Sequence, residues 1–127
     1  MLTMGTVSTH AINPAVYARL PFDHVKDFAP ISQVASVPNI LMVNIDLPAK
    51  TVPELIDLLK KNPGKYSFGS SGAGTSTHMA AELFKVATGT DMAHVPYRSS
   101  GQVTQDLLSG QIQLSFDNIT IAWPHVE

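Results

Sequence analysis

A loop rich in glycine and hydroxyl side chains is the segment of this sequence best suited to chemistry. It runs Gly69-Ser70-Ser71-Gly72-Ala73-Gly74-Thr75-Ser76-Thr77, between a predicted strand and a predicted helix. Glycines let a ligand approach the backbone closely, and the free amides at the start of a helix attract an anion. The hydroxyls add hydrogen-bond donors without adding charge. The segment therefore predicts a site for a carboxylate or a phosphate.

Three known motifs can be compared with the spacing of this loop, and none of them fits. A P-loop requires a lysine where Thr75 stands. A dinucleotide fingerprint requires G-x-G-x-x-G, whereas the glycines here are Gly69, Gly72 and Gly74. A nucleophile elbow requires glycine two residues after Ser71, where Ala73 is found. The remaining alternative is a tight turn with a helix cap, although five hydroxyls exceed what a cap requires.

Other residues with chemical potential are isolated. The histidines are far apart in sequence, and no pair has the spacing of a metal-binding helix. We interpret His78 as packing or hydrogen-bonding at the loop and His94 as a satisfied core histidine. Asp117, at a predicted strand end, either accepts a hydrogen bond from a ligand amine or hydroxyl or caps the following helix. Arg98 either attracts an anion or is a free surface arginine.

The elements that must position these residues alternate between strands and helices. Strands are predicted over 2–4, 66–68, 92–95 and 112–116, and either two strands or one bent strand over 31–35 and 40–45. Helices are predicted from Pro14, from a cap at Thr51 to Lys60 and Lys61, from a first turn that contains His78 to a stop at Gly89, over 101–108, and over 119–126 with an interruption at Pro124. This alternation predicts an α/β fold with a mostly parallel sheet flanked by helices. Right-handed crossovers would gather four loops at the carboxyl edge of the sheet, where open α/β folds bind ligands. These are Gly5–Thr9, Gly69–Thr77, Tyr97–Ser100 and the turn predicted at Asp117-Asn118.

Composition excludes several classes of protein. The 127 residues are 44% hydrophobic and 14% charged, which is typical of a folded domain. The net charge is −2 and the basic residues are scattered, so we expect no nucleic-acid partner. Because there is no cysteine, disulfides, a thiolate nucleophile and cysteine-ligated metal sites are excluded. We expect no cofactor and no metal.

Several stretches, in order along the whole chain, resemble the Bug family of receptors, the TctC-type receptors of tripartite tricarboxylate transport. The first of them are Met4-Gly5-Thr6 with Thr9-His10-Ala11-Ile12-Asn13-Pro14, then Val25-Lys26-Asp27-Phe28-Ala29-Pro30-Ile31 and Val37-Pro38-Asn39. The others are Pro48-Ala49-Lys50-Thr51-Val52, Gly69 to His78, His94-Val95-Pro96-Tyr97 and Phe116-Asp117-Asn118.

The resemblance implies a periplasmic-binding-protein-like (type II) fold whose two domains close around a small carboxylate or amino-acid ligand. It implies a receptor that is not an enzyme, with membrane permease subunits as partners and a periplasmic location, although no signal peptide is seen at Met1 to Gly5. Carried onto this chain, the ligand-binding residues are Thr6, Ser8, Thr9, Ser70, Ser71, Gly74, Thr75, Ser76, Thr77 and Asp117.

The sequence also departs from the family by omission. The family's first strand with its ligand loop is expected before Leu2, and a return segment is expected after Glu127. We therefore interpret residues 1–36 as a remnant of the first ligand-binding domain and 37–127 as the second. Exposed strand edges would then favour a homodimer. Two rival functions remain: a small hydrolase pairing a serine with His78 or His94, and a folded chain without binding activity.

Overall fold

The structure is a computed structural model that describes residues 1–126. Its strands are β1 (Asn39–Val43), β2 (Ser67–Ser70), β3 (Ala93–Pro96) and β4 (Leu114–Asn118). Its α-helices are α1 (Asn13–Val16), α2 (Val52–Lys61), α3 (Ser76–Thr88), α4 (Ser100–Leu108) and α5 (Ile119–Ala122). A π-helical turn, Ser8–Ile12, precedes α1, and a 3₁₀ turn, Trp123–His125, follows α5. No helix within residues 1–126 combines the length and the apolar character needed to cross a membrane.

The four strands form one sheet in the order β1-β4-β2-β3. Strand β2 is parallel to both of its neighbours, whereas β1 runs antiparallel to β4 at the edge. The register places Gly69 opposite Val95 on one side and opposite Ser115 on the other. The predicted α/β fold with a mostly parallel sheet is confirmed, with one antiparallel edge strand that the sequence did not reveal.

Apolar side chains cover both faces of this sheet. The larger cluster joins Leu55 and Leu59 of α2 to Phe68, Ala81 and Leu114. A smaller cluster joins the α4 residues Val103 and Leu107 to Ile112, with Met42 and Val95 packed against it. Burying one such leucine or phenylalanine stabilises a fold by about 1.5–3 kcal/mol. The two clusters therefore hold the helices against opposite faces and fix the positions of the intervening loops.

The best-predicted helix is α2, because residues next to its two ends determine where it begins and stops. Thr51 accepts a hydrogen bond from the Glu54 amide (3.4 Å), which satisfies one of the orphan donors at the helix start. The Glu54 carboxylate in turn accepts from the Lys50 amide (2.7 Å), one residue earlier than in an ideal capping box. Lys60 and Lys61 lie in the last turn, where cations complement the helix dipole.

Four predictions of local structure were wrong. The strands expected over 2–4 and 31–35 do not form, because no strand lies beside them in residues 1–126 to complete a hydrogen-bonded ladder. The side chains of Ile31 and Val34 are accordingly 82% and 78% exposed. The loop expected over Gly5–Thr9 enters the π-helical turn at Ser8, and the turn expected at Asp117-Asn118 belongs to the end of β4.

Candidate functional site

The candidate site lies where the three parallel strands end. Strands β2, β3 and β4 finish at Ser70, Pro96 and Asn118, and parallel strands finish at the same edge of a sheet. Since Gly69 pairs with Ser115, Ser71 and Asp117 lie two residues farther along their neighbouring chains, at the same level. The topology therefore brings the glycine-rich loop and Asp117 together at the edge that the sequence predicted.

The glycine-rich loop is shaped by two glycines that adopt positive φ. Gly72 has φ +124° and Gly74 has φ +76°, conformations that residues with a Cβ rarely adopt. The first two residues predicted for the loop, Gly69 and Ser70, belong instead to β2. The turn therefore begins at Ser71 and delivers the chain directly into α3.

The hydroxyls of this loop form a connected chain. Ser71 Oγ lies 3.1 Å from Thr77 Oγ1, which lies 3.0 Å from Thr75 Oγ1, and Thr75 Oγ1 donates to the Gly72 carbonyl (2.7 Å). Thr77 Oγ1 also accepts from the Ser71 amide (3.2 Å), and Thr75 Oγ1 accepts from the His78 amide (3.4 Å). Two of the predicted site residues thus brace the turn and cap α3, as the turn-and-cap alternative requires.

The amino-terminal segment reaches the start of α3 from far away in sequence. Ser8 Oγ accepts a hydrogen bond from the Ser76 amide (3.1 Å), and the Tyr17 hydroxyl donates to the Ala73 carbonyl (3.4 Å). The Asn39 side-chain amide donates to the Ser76 carbonyl (3.2 Å). Ser8 and Ser76, both predicted site residues, therefore meet at the first turn of α3.

Thr6 and Thr9, also predicted site residues, bond to each other. Each hydroxyl accepts from the amide of the other residue, at 3.0 Å for the Thr6 amide and 3.3 Å for the Thr9 amide. Thr9 Oγ1 also lies 2.8 Å from His10 Nδ1. Their hydrogen bonds close the turn ahead of Ser8, while Ser8 itself makes the contact with α3.

Asp117 is a buried carboxylate with one unsatisfied oxygen. Its side chain is 1% exposed, and Oδ1 accepts a hydrogen bond from the Asn118 amide (2.7 Å). Oδ2 is buried and has no partner among residues 1–126. The residue does not cap α5, since the first amide of that helix, at Ile119, bonds to the Pro38 carbonyl (3.1 Å). Among residues 1–126 the Asp117 side chain makes no hydrogen bond to α5, so the structure does not support the capping interpretation that the sequence left open.

His78 and His94 form an aromatic stack beneath the loop. Their ring centroids are 4.0 Å apart, and His94 also stacks on Phe68 at 4.9 Å. His78 Nδ1 accepts from the Gly74 amide (3.1 Å), and His94 Nε2 lies 2.7 Å from Ser70 Oγ. Desolvation, followed by the charge of His78, lowers the pKa of His94 below its ordinary value of 6.5. His78 thus packs and bonds at the loop, as we interpreted it, whereas His94, which we interpreted as a satisfied core histidine, is only partly buried and bonds to Ser70.

The Tyr97 hydroxyl donates to Asp106 Oδ2 (2.7 Å), and burial together with this bond raises the pKa of Tyr97 to about 12. A cavity of about 450 Å³ lies beside them, lined also by Arg98. A larger groove of about 660 Å³ runs along β1 and the end of α4. Neither space is lined by the glycine-rich loop, so the candidate site is defined by its polar groups and not by an enclosing pocket.

Sequence reasoning missed Asn39 and Tyr17 as neighbours of the loop. Asn39 is a polar residue at the start of an otherwise apolar strand, which hints at a polar partner but does not identify it. Tyr17 follows a short helix, and nothing in its local sequence indicates a contact with the loop. Within residues 1–126, no three His, Asp or Glu side chains gather in a way that would hold a metal ion. The chemistry available to the site is hydrogen bonding by hydroxyls, amides and one carboxylate.

Comparison with known proteins identifies the family. The model of the tripartite tricarboxylate transporter family receptors (TctC) matches residues 1–127. A UPF0065 protein of Pseudomonas sp. strain P51 is 36% identical over 104 residues, which are 82% of this chain and 31% of that protein. Protein BugT of Bordetella pertussis is 29% identical over 126 residues, 99% of this chain and 39% of that protein. The chain thus spans only about a third of the length of these relatives.

Solved structures agree. A protein described as a periplasmic transporter superposes with a TM-score of 0.91 at 48% identity, covering 95% of this chain and 41% of that one. Rpa4515 of R. palustris, solved with adipate, superposes with a TM-score of 0.90 at 37% identity, covering 94% and 40%. The fold is that of periplasmic binding proteins, and the chain belongs to the tripartite tricarboxylate transporter (TctC, or Bug) family of receptors.

Proposed function

We propose that this chain forms the part of an extracytoplasmic solute receptor that grips a small carboxylate without changing it chemically. The observation that carries the proposal is the hydroxyl chain at the start of α3. Hydrogen bonds from uncharged hydroxyls and helix amides suit a carboxylate, because they stabilise its negative charge without a positively charged side chain.

The direction of donation within the hydroxyl chain leaves one adaptable donor. Thr75 gives its proton to the Gly72 carbonyl, so the proton between Thr75 and Thr77 must come from Thr77. The proton between Thr77 and Ser71 must then come from Ser71. Ser71 is therefore the terminal hydroxyl, and it alone can turn its proton onto a ligand without breaking the rest of the chain.

Backbone amides supply further donors beside Ser71. The amides of Ala73 and Thr77 make no hydrogen bond within the described part of the chain. Thr77 is 3% exposed, and a buried amide without a partner costs about 1–3 kcal/mol. A carboxylate bound at the start of α3 would accept from these groups, so we assign its oxygens to Ser71, Ala73 and Thr77.

Asp117 supplies the opposite kind of group. Its unpartnered Oδ2 can accept from a ligand N–H or O–H, directly or through an ordered water. A ligand that fits both positions has a carboxylate at the start of α3 and a hydroxyl or ammonium group near Asp117. Hydroxy acids and amino acids have this combination of groups. The R. palustris neighbour was solved with adipate, which supports a dicarboxylate as an alternative ligand.

The family supports the remaining parts of the proposal. Receptors of tripartite tricarboxylate transporters would hand their ligand to membrane permease subunits, and a similar solved structure is described as a periplasmic transporter. We therefore propose permease subunits as partners and the periplasm as the compartment. We also propose that Thr6 and Thr9 contact the ligand. Their mutual hydrogen bonds shape the turn that places Ser8 against the start of α3.

A homodimer through an exposed strand edge is a further part of this proposal. In the described part of the chain, strand β1 has a neighbour on one side only, and an apolar groove lies beside it. Unpaired edge strands favour pairing with another chain. Light scattering at micromolar concentration would then give twice the mass of the chain, whereas a sharp monomer mass would contradict the dimer.

The hydrolase alternative rests on one observation, the 2.7 Å contact between Ser70 Oγ and His94 Nε2. Ser70 is 1% exposed, which keeps its oxygen from a substrate carbonyl. No carboxylate in residues 1–126 bonds to the other ring nitrogen of His94 to orient it as a base. These features favour a binding site over a catalytic one.

The test is ligand-induced stabilisation of this chain. We would screen succinate, malate, adipate, citrate, aspartate, glutamate, nicotinate and terephthalate by thermal shift, with sulfate as the anion control. A ligand at 100 times its Kd adds about 2.7 kcal/mol to the free energy of unfolding. The shift should be lost in Ser71→Ala and kept in the matched control Ser32→Ala, whose exposed hydroxyl donates to the Gln33 carbonyl. If no carboxylate raises the midpoint, the chain folds without binding.

A further inference from the structure

Two histidines support the glycine-rich loop from below, and each bonds to a different part of it. His78, in the first turn of α3, accepts from the Gly74 amide, and His94, on β3, bonds to Ser70 at the end of β2. Gly74 is buried and has a positive φ. The hydrogen bond from its amide to His78 helps to hold the backbone in this conformation. The two rings hold the two ends of the turn.

The hydrogen bond to His78 determines which ring nitrogen carries the proton in the neutral ring. An imidazole nitrogen that accepts an N–H bond carries no proton, so the proton of neutral His78 lies on Nε2. Adding a second proton places it on Nδ1, directly opposite the Gly74 N–H. The acceptor is then lost, and two donors face each other at 3.1 Å.

The stacking adds an electrostatic reason against protonation of both rings. The planes are nearly parallel, at 14°, with centroids 4.0 Å apart, so two imidazolium ions would repel strongly across a partly buried contact. The neutral ring of Phe68 lies against both histidines, with its centroid 4.9 Å from that of His94 and 6.3 Å from that of His78. The stack therefore accommodates two neutral rings well and two charged rings poorly.

The charged groups around the stack come from α3 and the segment that follows it. Glu82 Oε1 lies 3.8 Å from His78 Nε2, but it also pairs with Lys85 at 3.1 Å. Lys85 in turn lies 3.9 Å from Asp91 and 5.9 Å above the Phe68 ring. Glu82 favours the charged histidine, whereas Lys85 disfavours it and occupies the same carboxylate.

We propose that His78 and His94 are positioning residues that keep the glycine-rich loop receptive to its ligand only while both rings are neutral. Ligand affinity then falls as the pH drops through the histidine range, because the Gly74 amide loses its acceptor. The proposal rests on the proposed function for its consequence in binding, but the coupling between His78 and the loop is a property of the free protein.

The free protein supplies the first test. In ¹H–¹⁵N NMR spectra recorded between pH 8 and pH 5.5, the Gly74 amide should titrate with the same midpoint as the His78 ring. In His78→Asn, the side-chain oxygen occupies the place of Nδ1 and does not titrate, so the Gly74 signal should be constant. A constant Gly74 signal in the wild type, or an unchanged titration in His78→Asn, would overturn the proposal.

His94→Gln provides an independent variant in case His78→Asn fails to fold. A glutamine keeps a polar group near Ser70 but removes the neighbouring ring that can become charged, so the midpoint of the Gly74 titration should move to higher pH. An unmoved midpoint would contradict the coupling of the two rings. His24→Asn, at an exposed histidine outside the loop, is the matched control and should titrate like the wild type.

Calorimetry with adipate then tests the consequence for binding. Wild-type affinity should fall between pH 8 and pH 5.5 with a slope approaching tenfold per pH unit, the limit for release of one proton on binding. His78→Asn should show a flatter profile, and protonation of adipate itself affects both proteins equally. Identical profiles would refute the role of the rings in binding. If no protein binds adipate at pH 8, the proposed function fails for this ligand, while the NMR titration still decides the coupling.

Discussion

Replacing Asp117 with asparagine should make the protein more stable and its ligand site poorer. The carboxylate is 1% exposed, and Oδ2 lies buried without a partner. A buried polar group without a hydrogen bond costs about 1–3 kcal/mol, and more if it is charged. Asp117→Asn removes the charge and keeps an oxygen to accept from the Asn118 amide, at the same position as the present 2.7 Å bond.

The expected gain is smaller than the full penalty. The new side-chain N–H₂ group takes the place of Oδ2 and is itself left without a partner, so part of the cost remains. We therefore expect a net gain of about 1 kcal/mol in the free energy of unfolding. Urea unfolding should show a higher midpoint at an unchanged slope, and the thermal midpoint should rise by about 3–6 °C for a chain of this length.

The control is Asp57→Asn, which neutralises an exposed carboxylate on α2 and should change stability by no more than about 0.5 kcal/mol. Affinity for aspartate, if Asp117 accepts from its ammonium group, should fall at least tenfold in Asp117→Asn, which corresponds to about 1.4 kcal/mol. A loss of 1 kcal/mol or more in stability would refute the reasoning, because it would mean that Oδ2 is stabilised in the folded protein. A gain in stability with unchanged affinity would refute only the role in binding.

Two other predictions concern the packing and titration of residues near the loop. In Gly69→Ala the new Cβ would lie 2.5 Å from Ile112 Cδ1 and 2.9 Å from a Val103 methyl, so urea unfolding should show a loss of about 1–3 kcal/mol. Gly101→Ala, in α4, where the new Cβ would meet nothing within 4 Å beyond its chain neighbours and the backbone of its own helix, should instead gain up to about 1 kcal/mol. Tyr97, whose pKa is raised to about 12, should ionise late in an alkaline ultraviolet titration, and its contribution to stability should be lost as the pH rises from 10.0 toward 12. Asp106→Asn should shift that ionisation to lower pH, and an unshifted titration would contradict the assigned hydrogen bond.

The sequence predicted best those elements whose signals are local. Helix α2 has its cap, its apolar face and its stop within a dozen residues, and α3 has a capping threonine at one end and Gly89 in the left-handed conformation at the other. The glycine-rich loop was recognisable for the same reason, since its special conformations are confined to two glycines. Such features need no knowledge of the rest of the fold.

Features that depend on distant partners were not predictable. The apolar residues around Ile31 and Val34 look like a strand, yet they form none without a neighbouring ladder. The contact of Asn39 with the start of α3 joins residues 37 positions apart, and the unsatisfied oxygen of Asp117 becomes visible only when all surrounding atoms are placed. Spacing along the chain carries no information about either.

The position of β1 in the sheet has a consequence for the order of folding. Its only strand neighbour within residues 1–126 is β4, and the two are paired from Asn39 with Asn118 to Val43 with Leu114, across more than half the chain. The unit from β2 to β4 has shorter connections and parallel pairings that can close first, since loop closure costs more entropy as the loop grows. During synthesis, β1 therefore leaves the ribosome well before β4 and cannot pair until β4 has also emerged. Substitutions in β1 should accordingly accelerate unfolding while leaving the refolding rate nearly unchanged.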